Sequence, residues 1–538
     1  MQAKKRKFLV VVGSLMSGLG KGVLCASLGK ILQSMGYSVV PIKFDGYLNV
    51  DCGTMNPFRH GEVFVLDDGT ECDLDFGTYE RFLNINLDKD NSLTGGKIFK
   101  RIIEKERAGE FLGRDVQIVP HLTDEIKSHV KMVGDKWDAD VVLIEVGGTV
   151  GDLENGYFLE AMRQLASEEH VLFVQLTYVM SVAPGEQKTK PTQHATKLLL
   201  SLGIRPTIII CREDERLTME TREKIALYCN VKTDAIFDNP DLENIYELPL
   251  VLETQGMSKV LSRELGLEVR KVELGEWKKL VERIKKPEKK IVVAIAGKYT
   301  AVKDAYISIS EALVHSGAKL GAKAKIKWID TVEIEKGKRA EEALDGCDGL
   351  IVPGGFGRRG AEGKIECIRV ARERRMPYLG LCFGMQLQCI EYARNVCKLK
   401  GANSTELDEK TPYPIVDLLP EQRGVTLKGA TMRLGSYECI LEPNSNAYMA
   451  YGKARIFERH RHRYEINNKY LEELKNRGLV VCGKSPDGNI VEMVEWRDGW
   501  GVGTQAHPEL KSRFLSPSPI FVAFIDACLK ANRAKKGV

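Results

Sequence analysis

A chain of 538 residues exceeds the size at which one hydrophobic core keeps growing, so two domains of roughly 250 residues are expected. With 43% hydrophobic and 28% charged residues the composition excludes a disordered or low-complexity chain, and 79 Lys and Arg against 74 Asp and Glu leave a formal charge of +5, too small to imply nucleic acid as a partner. Thirteen cysteines, an odd number with no Cys-x-x-Cys spacing, argue against a zinc or disulfide framework and fit reduced thiols in cytoplasm.

Residues 1–7 are basic and 8–12 apolar, but Gly13, Ser14 and Ser17-Gly18-Leu19-Gly20-Lys21 interrupt the run too early for an export signal. No run approaches the ~20 apolar residues that span a bilayer. Residues 8–12 instead predict a strand, and the glycine-rich stretch from Gly13 to Gly22 precedes a helical pattern at 23–35. Backbone N–H groups and a helix dipole bind phosphates in that setting. The loop departs from a regular Walker A pattern, with Leu15 in place of glycine and Gly22 in place of Ser or Thr. The usual hydroxyl ligand to magnesium is therefore missing, and the metal must be held elsewhere.

Carboxylates that suit such an oxygen-loving ion occur in Asp73-Leu74-Asp75 and at Glu145. Glu145 ends the apolar run 141–146 before Gly147-Gly148-Thr149, at the strand edge that faces the ligand crevice of α/β sheets, and needs a compensating charge there. Further strands are predicted at 171–176 and 207–210. Between them, Lys188-Thr189-Lys190-Pro191-Thr192-Gln193 packs two lysines, two hydroxyls and an amide around a stiffening proline. It suits a second polyphosphate; a solvated loop is the alternative. The charged helical segment 268–290, which contains Pro287, is the expected linker between domains 1–267 and 291–538.

In the second half, strands are predicted at 291–295, 349–352 and 378–381, so both domains read as α/β, with mostly parallel sheets buried on both faces. Gly380-Leu381-Cys382-Phe383-Gly384 has the strand, sharp turn and helix layout of a nucleophile elbow. There the thiol meets a helix N-terminus and the Phe383 N–H faces a developing oxyanion. Pro353-Gly354-Gly355-Phe356-Gly357 offers the Gly355 amide as a second donor. In Gln505-Ala506-His507-Pro508-Glu509, the two-residue spacing lets Glu509 orient a His507 that pairs with Cys382. These three form a triad for hydrolysing a carboxamide.

Pro-Gly-Gly-Phe-Gly, Gly-Leu-Cys-Phe-Gly-Met-Gln and His-Pro-Glu, in that order, resemble a class I glutamine amidotransferase domain. The resemblance implies that Cys382 forms a glutamyl thioester and releases ammonia, with Phe383, Gly384, Met385, Gln386, Glu406 and Arg463 holding glutamine. Phe383 stands where leucine is usual.

Ser-Gly-Leu-Gly-Lys-Gly, Lys43-Phe44-Asp45, Asn49-Val50-Asp51, His60-Gly61-Glu62, the stretch 73–82, Glu145-Val-Gly-Gly-Thr-Val-Gly-Asp152-Leu-Glu154, Lys-Thr-Lys-Pro-Thr-Gln, Ala430-Thr431-Met432-Arg433 and the basic run 458–465 together resemble the CTP synthase family across nearly the whole chain. That resemblance implies a P-loop-like, Rossmann-type synthetase domain. In it ATP phosphorylates the 4-oxygen of UTP and ammonia displaces phosphate to give CTP. Gly18, Leu19, Gly20, Lys21 and Gly22 would cradle ATP, Lys43 would assist the phosphoryl group, and Asp75 and Glu145 would hold Mg2+. Ser17, Lys188 to Gln193 and Lys224 would hold the UTP triphosphate, and Asp152, Leu153 and Glu154 would read feedback CTP. Activation by GTP and assembly into homotetramers, with filaments in some members, are also implied.

The chain departs from the family pattern at Gly46, where proline is usual, at Ser14, where glycine is usual, and at Asn155-Gly156-Tyr157. An ATP-dependent amidase acting on carboxylates is a competing reading, against which the second triphosphate segment argues; a non-catalytic filament protein is another, against which the triad and carboxylates argue.

Overall fold

A computed structural model of the chain describes residues 5–56, 60–183, 186–298, 302–418 and 432–536. Of the family motif at 430–433, Ala430 and Thr431 lie outside the described residues. The chain forms two compact units, Met1–Asp51 with Thr78–Lys278, and Cys52–Gly77 with Lys279–Val538. The segment read as a linker carries the helix Gly275–Lys285, within which the last division falls. The grouping of 52–77 with the second unit differs from the sequence expectation of a single boundary. Its physical basis is a hairpin, Phe64–Val65 with Glu71–Cys72, that brings Asp67 to 2.6 Å from Arg459 Nε and Glu71 to 2.8 Å from Arg461 Nε. Ion pairs between residues so distant in sequence leave no local signal.

In the first unit seven strands run parallel in the order Ile236–Pro240, Ile208–Glu213, Val171–Ala183, Lys7–Gly13, Val141–Val146, Val39–Asp45, Ser92–Thr94. The near-continuous β-branched runs fit, because these strands are buried on both faces: Val141–Val146 is buried at every position. From Lys7–Gly13 the chain builds outward on one side, then returns to place Val141–Val146 and Val171–Ala183 as that strand's two neighbours. The strand order thus reverses around Lys7–Gly13, and the crevice at its C-terminal end is where open α/β sheets bind ligands. The glycine-rich loop lies there, leading into the helix Lys21–Ser34.

The second unit has a nine-stranded sheet in the order Ala322–Asp330, Lys289–Gly297, Gly349–Val352, Tyr378–Leu381, Gly501–Thr504, Val491–Trp496, Leu479–Lys484, Arg433–Leu441, Arg455–His462. The first five are parallel and the rest antiparallel. Alternation splits its residues between two cores: Ala294, Leu350, Val352 and Tyr378 enter one, and Ile295, Ile351, Leu379 and Leu381 the other. The parallel strands point their C-terminal ends toward one edge, which carries the loop after Gly349–Val352 and the turn after Tyr378–Leu381.

Among the described residues no helix is long and apolar enough to cross a membrane. All thirteen cysteines are buried.

Candidate active sites

Cys382 stands between the strand Tyr378–Leu381 and the helix Phe383–Asn395 with φ 49° and ψ −102°, a conformation that costs a non-glycine residue about 1–3 kcal/mol and marks a strained elbow. Its N–H donates to Thr504 O at 2.7 Å, tying the elbow to the neighbouring strand. The sulfur lies 3.7 Å from Arg461 O and 3.5 Å from Gln505 Nε2.

His507 and Glu509 begin the short turn after Gly501–Thr504, and His507 Nδ1 is 2.8 Å from Glu509 Oε1. Burial opposes the imidazolium, but the charges of Glu509 and Cys382, with hydrogen bonds to both, outweigh it and push His507 up to about 10. A histidine held charged beside a thiol can give its proton to a departing amine.

The loop 353–357 is fixed by three side chains. Pro353 O accepts from Lys364 Nζ at 3.1 Å, Phe356 O accepts from Lys298, and Gly357 N–H donates to Glu406 Oε1 at 2.7 Å. A cavity of about 690 Å³ is lined by Gly355, Cys382, Arg463, His507 and Glu509 and, from the 52–77 segment, by Gly53 and Glu62.

The other residues expected to hold glutamine lie around this cavity rather than in its lining. Met385 is fully buried in the core, packed near Gly503. Gln386 Nε2 donates to Tyr464 O at 2.8 Å and to Gln505 Oε1 at 3.3 Å. Phe383 packs its ring 5.1 Å from Lys364 Nζ, and Gly384 O accepts from the Tyr378 hydroxyl at 2.9 Å. Sequence reasoning missed Lys298, Lys364, Gln505 and the Arg461 carbonyl. Lys298 directly follows the strand Lys289–Gly297, a position at a parallel strand's C-terminal end that could have singled it out.

In the first unit, Gly18 at φ 74° and Gly20 at φ 87° turn the loop after Lys7–Gly13 in left-handed conformations that favour glycine. Ser17 and Gly18 are exposed, whereas Leu19 and Gly22 are buried. Lys21 Nζ donates to Gly148 O at 2.6 Å, joining this loop to the one after Val141–Val146. Ser14 is buried and accepts from Thr177 Oγ1 at 3.3 Å, which gives this departure from the family pattern a partner.

Strand register sets Lys43 beside Glu145. Lys43 Nζ is 3.2 Å from Glu145 Oε1 and 3.6 Å from Asp45 Oδ1, and the Tyr79 hydroxyl donates to Glu145 Oε2. The strand-end carboxylate therefore has the compensating charge that its burial demands. Asp75 opens the helix Asp75–Leu83, one turn before Tyr79.

Of the segment 188–193, Lys188 and Lys190 are exposed, Pro191 sits in the first turn of the helix Lys190–Ser201, and Thr189, Thr192 and Gln193 turn inward. Gln193 Nε2 donates to Thr189 Oγ1 and Thr192 Oγ1 bonds Thr177 Oγ1, both at 2.9 Å. Lys224 is exposed on the helix Met219–Cys229.

Asp152 accepts from Thr149 N–H at 2.6 Å, and Leu153 and Glu154 project to solvent. Two departures from the family pattern meet here: a Cβ at position 46 would fall 2.4 Å from Asn155 Oδ1 and 2.9 Å from Glu154 O. Gly46→Ala is therefore expected to lower stability by about 1–3 kcal/mol, seen as a lower melting temperature. Adding Asn155→Ala should recover part of that loss; strict additivity in the double mutant would refute the coupling.

A glycine-rich loop on a parallel sheet, carried with a cysteine elbow and its His–Glu pair on a second sheet, defines a glutamine-dependent amidotransferase. Residues 7–267 match the family described as CTP synthase N-terminus, and residues 301–527 match glutamine amidotransferase class-I. A CTP synthase of Symbiobacterium thermophilum is 50% identical over 98% of this chain and 100% of its own length; one from Methanocaldococcus jannaschii is 49% identical over 98% and 99%. A solved Trypanosoma brucei CTPS glutaminase domain with bound acivicin is 34% identical, with a TM-score of 0.42, covering 45% of this chain and 94% of that one. The chain belongs to the CTP synthase family, ligases that form a C–N bond with glutamine as amido donor.

Proposed function

We propose that the chain makes CTP from UTP, ATP and glutamine, with ammonia generated in the second unit and consumed in the first. The Cys382 sulfur, its proton passed to His507, attacks the carboxamide carbon of glutamine, and the carbonyl electron pair moves onto oxygen, facing the amides of Gly355 and Phe383. As that pair returns, the C–N bond breaks and the amine leaves as ammonia with a proton from His507, which Glu509 holds in place. Water then attacks the thioester to give glutamate and restore the thiol.

In the first unit, Gly18 to Gly22 bind the ATP phosphates, and Lys43 steadies the phosphoryl group as it passes to the 4-oxygen of UTP. Ammonia adds at C4 and phosphate leaves. Phosphorylation matters because it replaces a poor leaving group with a good one. Ser17, the lysines of 188–193 and Lys224 bind the UTP triphosphate.

Among the described residues, groups of three or more His, Cys, Asp or Glu placed to hold a metal are absent. Glu145, buried on the strand Val141–Val146, is the kind of donor that Mg2+ takes, since this ion usually binds one or two carboxylates and completes its shell with water and substrate phosphates. Glu145 would hold it. Bound there, it supplies charge neutralisation for the triphosphate.

Feedback by CTP at Asp152, Leu153 and Glu154, activation by GTP, homotetramers, filaments and a cytoplasmic location belong to the same reading. The observation that carries it is the buried Lys43–Glu145 pair beside the phosphate loop, in a chain that also holds the Cys382–His507–Glu509 group. The test is to incubate the purified chain with UTP, ATP, Mg2+ and ammonium and resolve the nucleotides. CTP and ADP should form in equal amounts. No CTP, or ATP hydrolysis supported by a carboxylate in place of UTP, would overturn the reading.

A further inference from the structure

Lys364 is an unusual lysine. Its side chain rises from the helix Ala361–Glu373 into the interior, where it is only 1% exposed, and no carboxylate lies within ion-pair distance of it among the described residues. Instead, Nζ donates to Pro353 O at 3.1 Å, sits 5.1 Å from the Phe383 ring centroid, and lies 3.5 Å from where a Cβ on Gly355 would be. It therefore lies under the glycine-rich loop, on the side that cannot be reached by water. Burying an ammonium is costly unless something returns the energy, and one carbonyl and one ring return little.

We propose that Lys364 is a positioning residue of the glutamine site: it fixes the 353–356 turn and places a positive charge beneath the carbonyl oxygen that becomes negative during attack. This rests on the reading of Cys382 as nucleophile. A trans peptide is planar, so drawing Pro353 O toward Lys364 turns the Gly354 N–H to the opposite side. At the other end, Lys298 holds Phe356 O and Glu406 holds Gly357 N–H. With both ends pinned, the Gly355 amide between them is presented to the cavity without reorganising during the reaction.

The charged groups facing Lys364 are Lys298, Cys382 and Glu406. Burial pushes Lys364 down to about 7, with Lys298 adding to the shift and Cys382 and Glu406 opposing it. Negative charge developing at the sulfur or the carbonyl oxygen favours the protonated form, so the ammonium is strongest when the transition state needs it. The charge is present at low pH and is lost as pH rises, so glutamine hydrolysis should decline on the alkaline side.

The test uses the full chain, measuring glutamate release across neutral and alkaline pH for Lys364→Met and Lys364→Gln. Lys364→Met should lower kcat by about 10- to 100-fold with KM changed less than about threefold. Lys364→Gln keeps an N–H donor for Pro353 O but no charge; it should recover part of kcat and lose the alkaline decline. The inference is overturned by kcat within about twofold of the parent in Lys364→Met, by a rise in KM alone, or by an unchanged alkaline decline in Lys364→Gln. Should Lys364→Met fail to fold, Lys364→Gln decides. Retention of glutaminase by Cys382→Ala would remove the nucleophile reading itself; its loss there, with an unaffected Lys364→Met, would remove this inference alone.

Discussion

Cys382→Ala should abolish glutamine-dependent CTP formation, by on the order of 10³-fold or more, while synthesis from saturating ammonium stays within about twofold of the parent. Alanine has no atom that can form a thioester, so neither the Gly355 and Phe383 amides nor a charged His507 has an intermediate to act on. The fold should tolerate the change. Alanine meets the same strain as cysteine at φ 49°, and the loss is one sulfur atom next to an existing cavity. Free ammonia bypasses the missing step because bond formation at C4 uses the first unit. Glutaminase activity surviving in the variant would sink the assignment; loss of both activities would make Cys382 a structural residue.

Glu145→Gln should give the complementary result. Synthesis from both nitrogen sources should fall by about 10³-fold, whereas glutamate release from glutamine continues, because Glu145 lies in the other unit from the triad. The substitution keeps shape and a hydrogen-bonding oxygen for Tyr79 but removes the partner 3.2 Å from Lys43. Breaking a buried ion pair costs about 3–5 kcal/mol when it leaves a lone charge, and here Asp45 at 3.6 Å remains to take Lys43. A modest drop in melting temperature is therefore expected alongside the loss of synthesis. Normal CTP formation in Glu145→Gln would place phosphoryl transfer elsewhere.

Much of this architecture was legible from the sequence because the physics involved is local. Short apolar runs of four to six residues that end in glycine or a sharp turn predict buried parallel strands, and Val141–Val146 and Tyr378–Leu381 are such strands. The turn between strand and helix at Cys382 follows from glycines on both sides, and the His507–Glu509 spacing from two residues of extended chain. What could not be read depends on pairs distant in sequence. Glu145 demanded a cation, but nothing local named Lys43 and Tyr79. Lys364, in a helix with charged neighbours, has the pattern of a solvated residue, and only the loop above it reveals an interior one. Gly46 looked like an arbitrary departure until Asn155 was placed against it.

The excursion of 52–77 has a consequence for how such an enzyme can be rearranged. The chain crosses between units after Asp51, after Gly77 and after Lys278, so the glutamine-hydrolysing half is not a cassette hung on one tether. Transplanting 279–538 from a relative would leave a foreign surface to mate with the native hairpin, and Arg459 and Arg461 would meet whatever that hairpin carries at 67 and 71. A working graft must exchange both pieces together, and by the same logic substitutions in the two pieces are constrained to change in step.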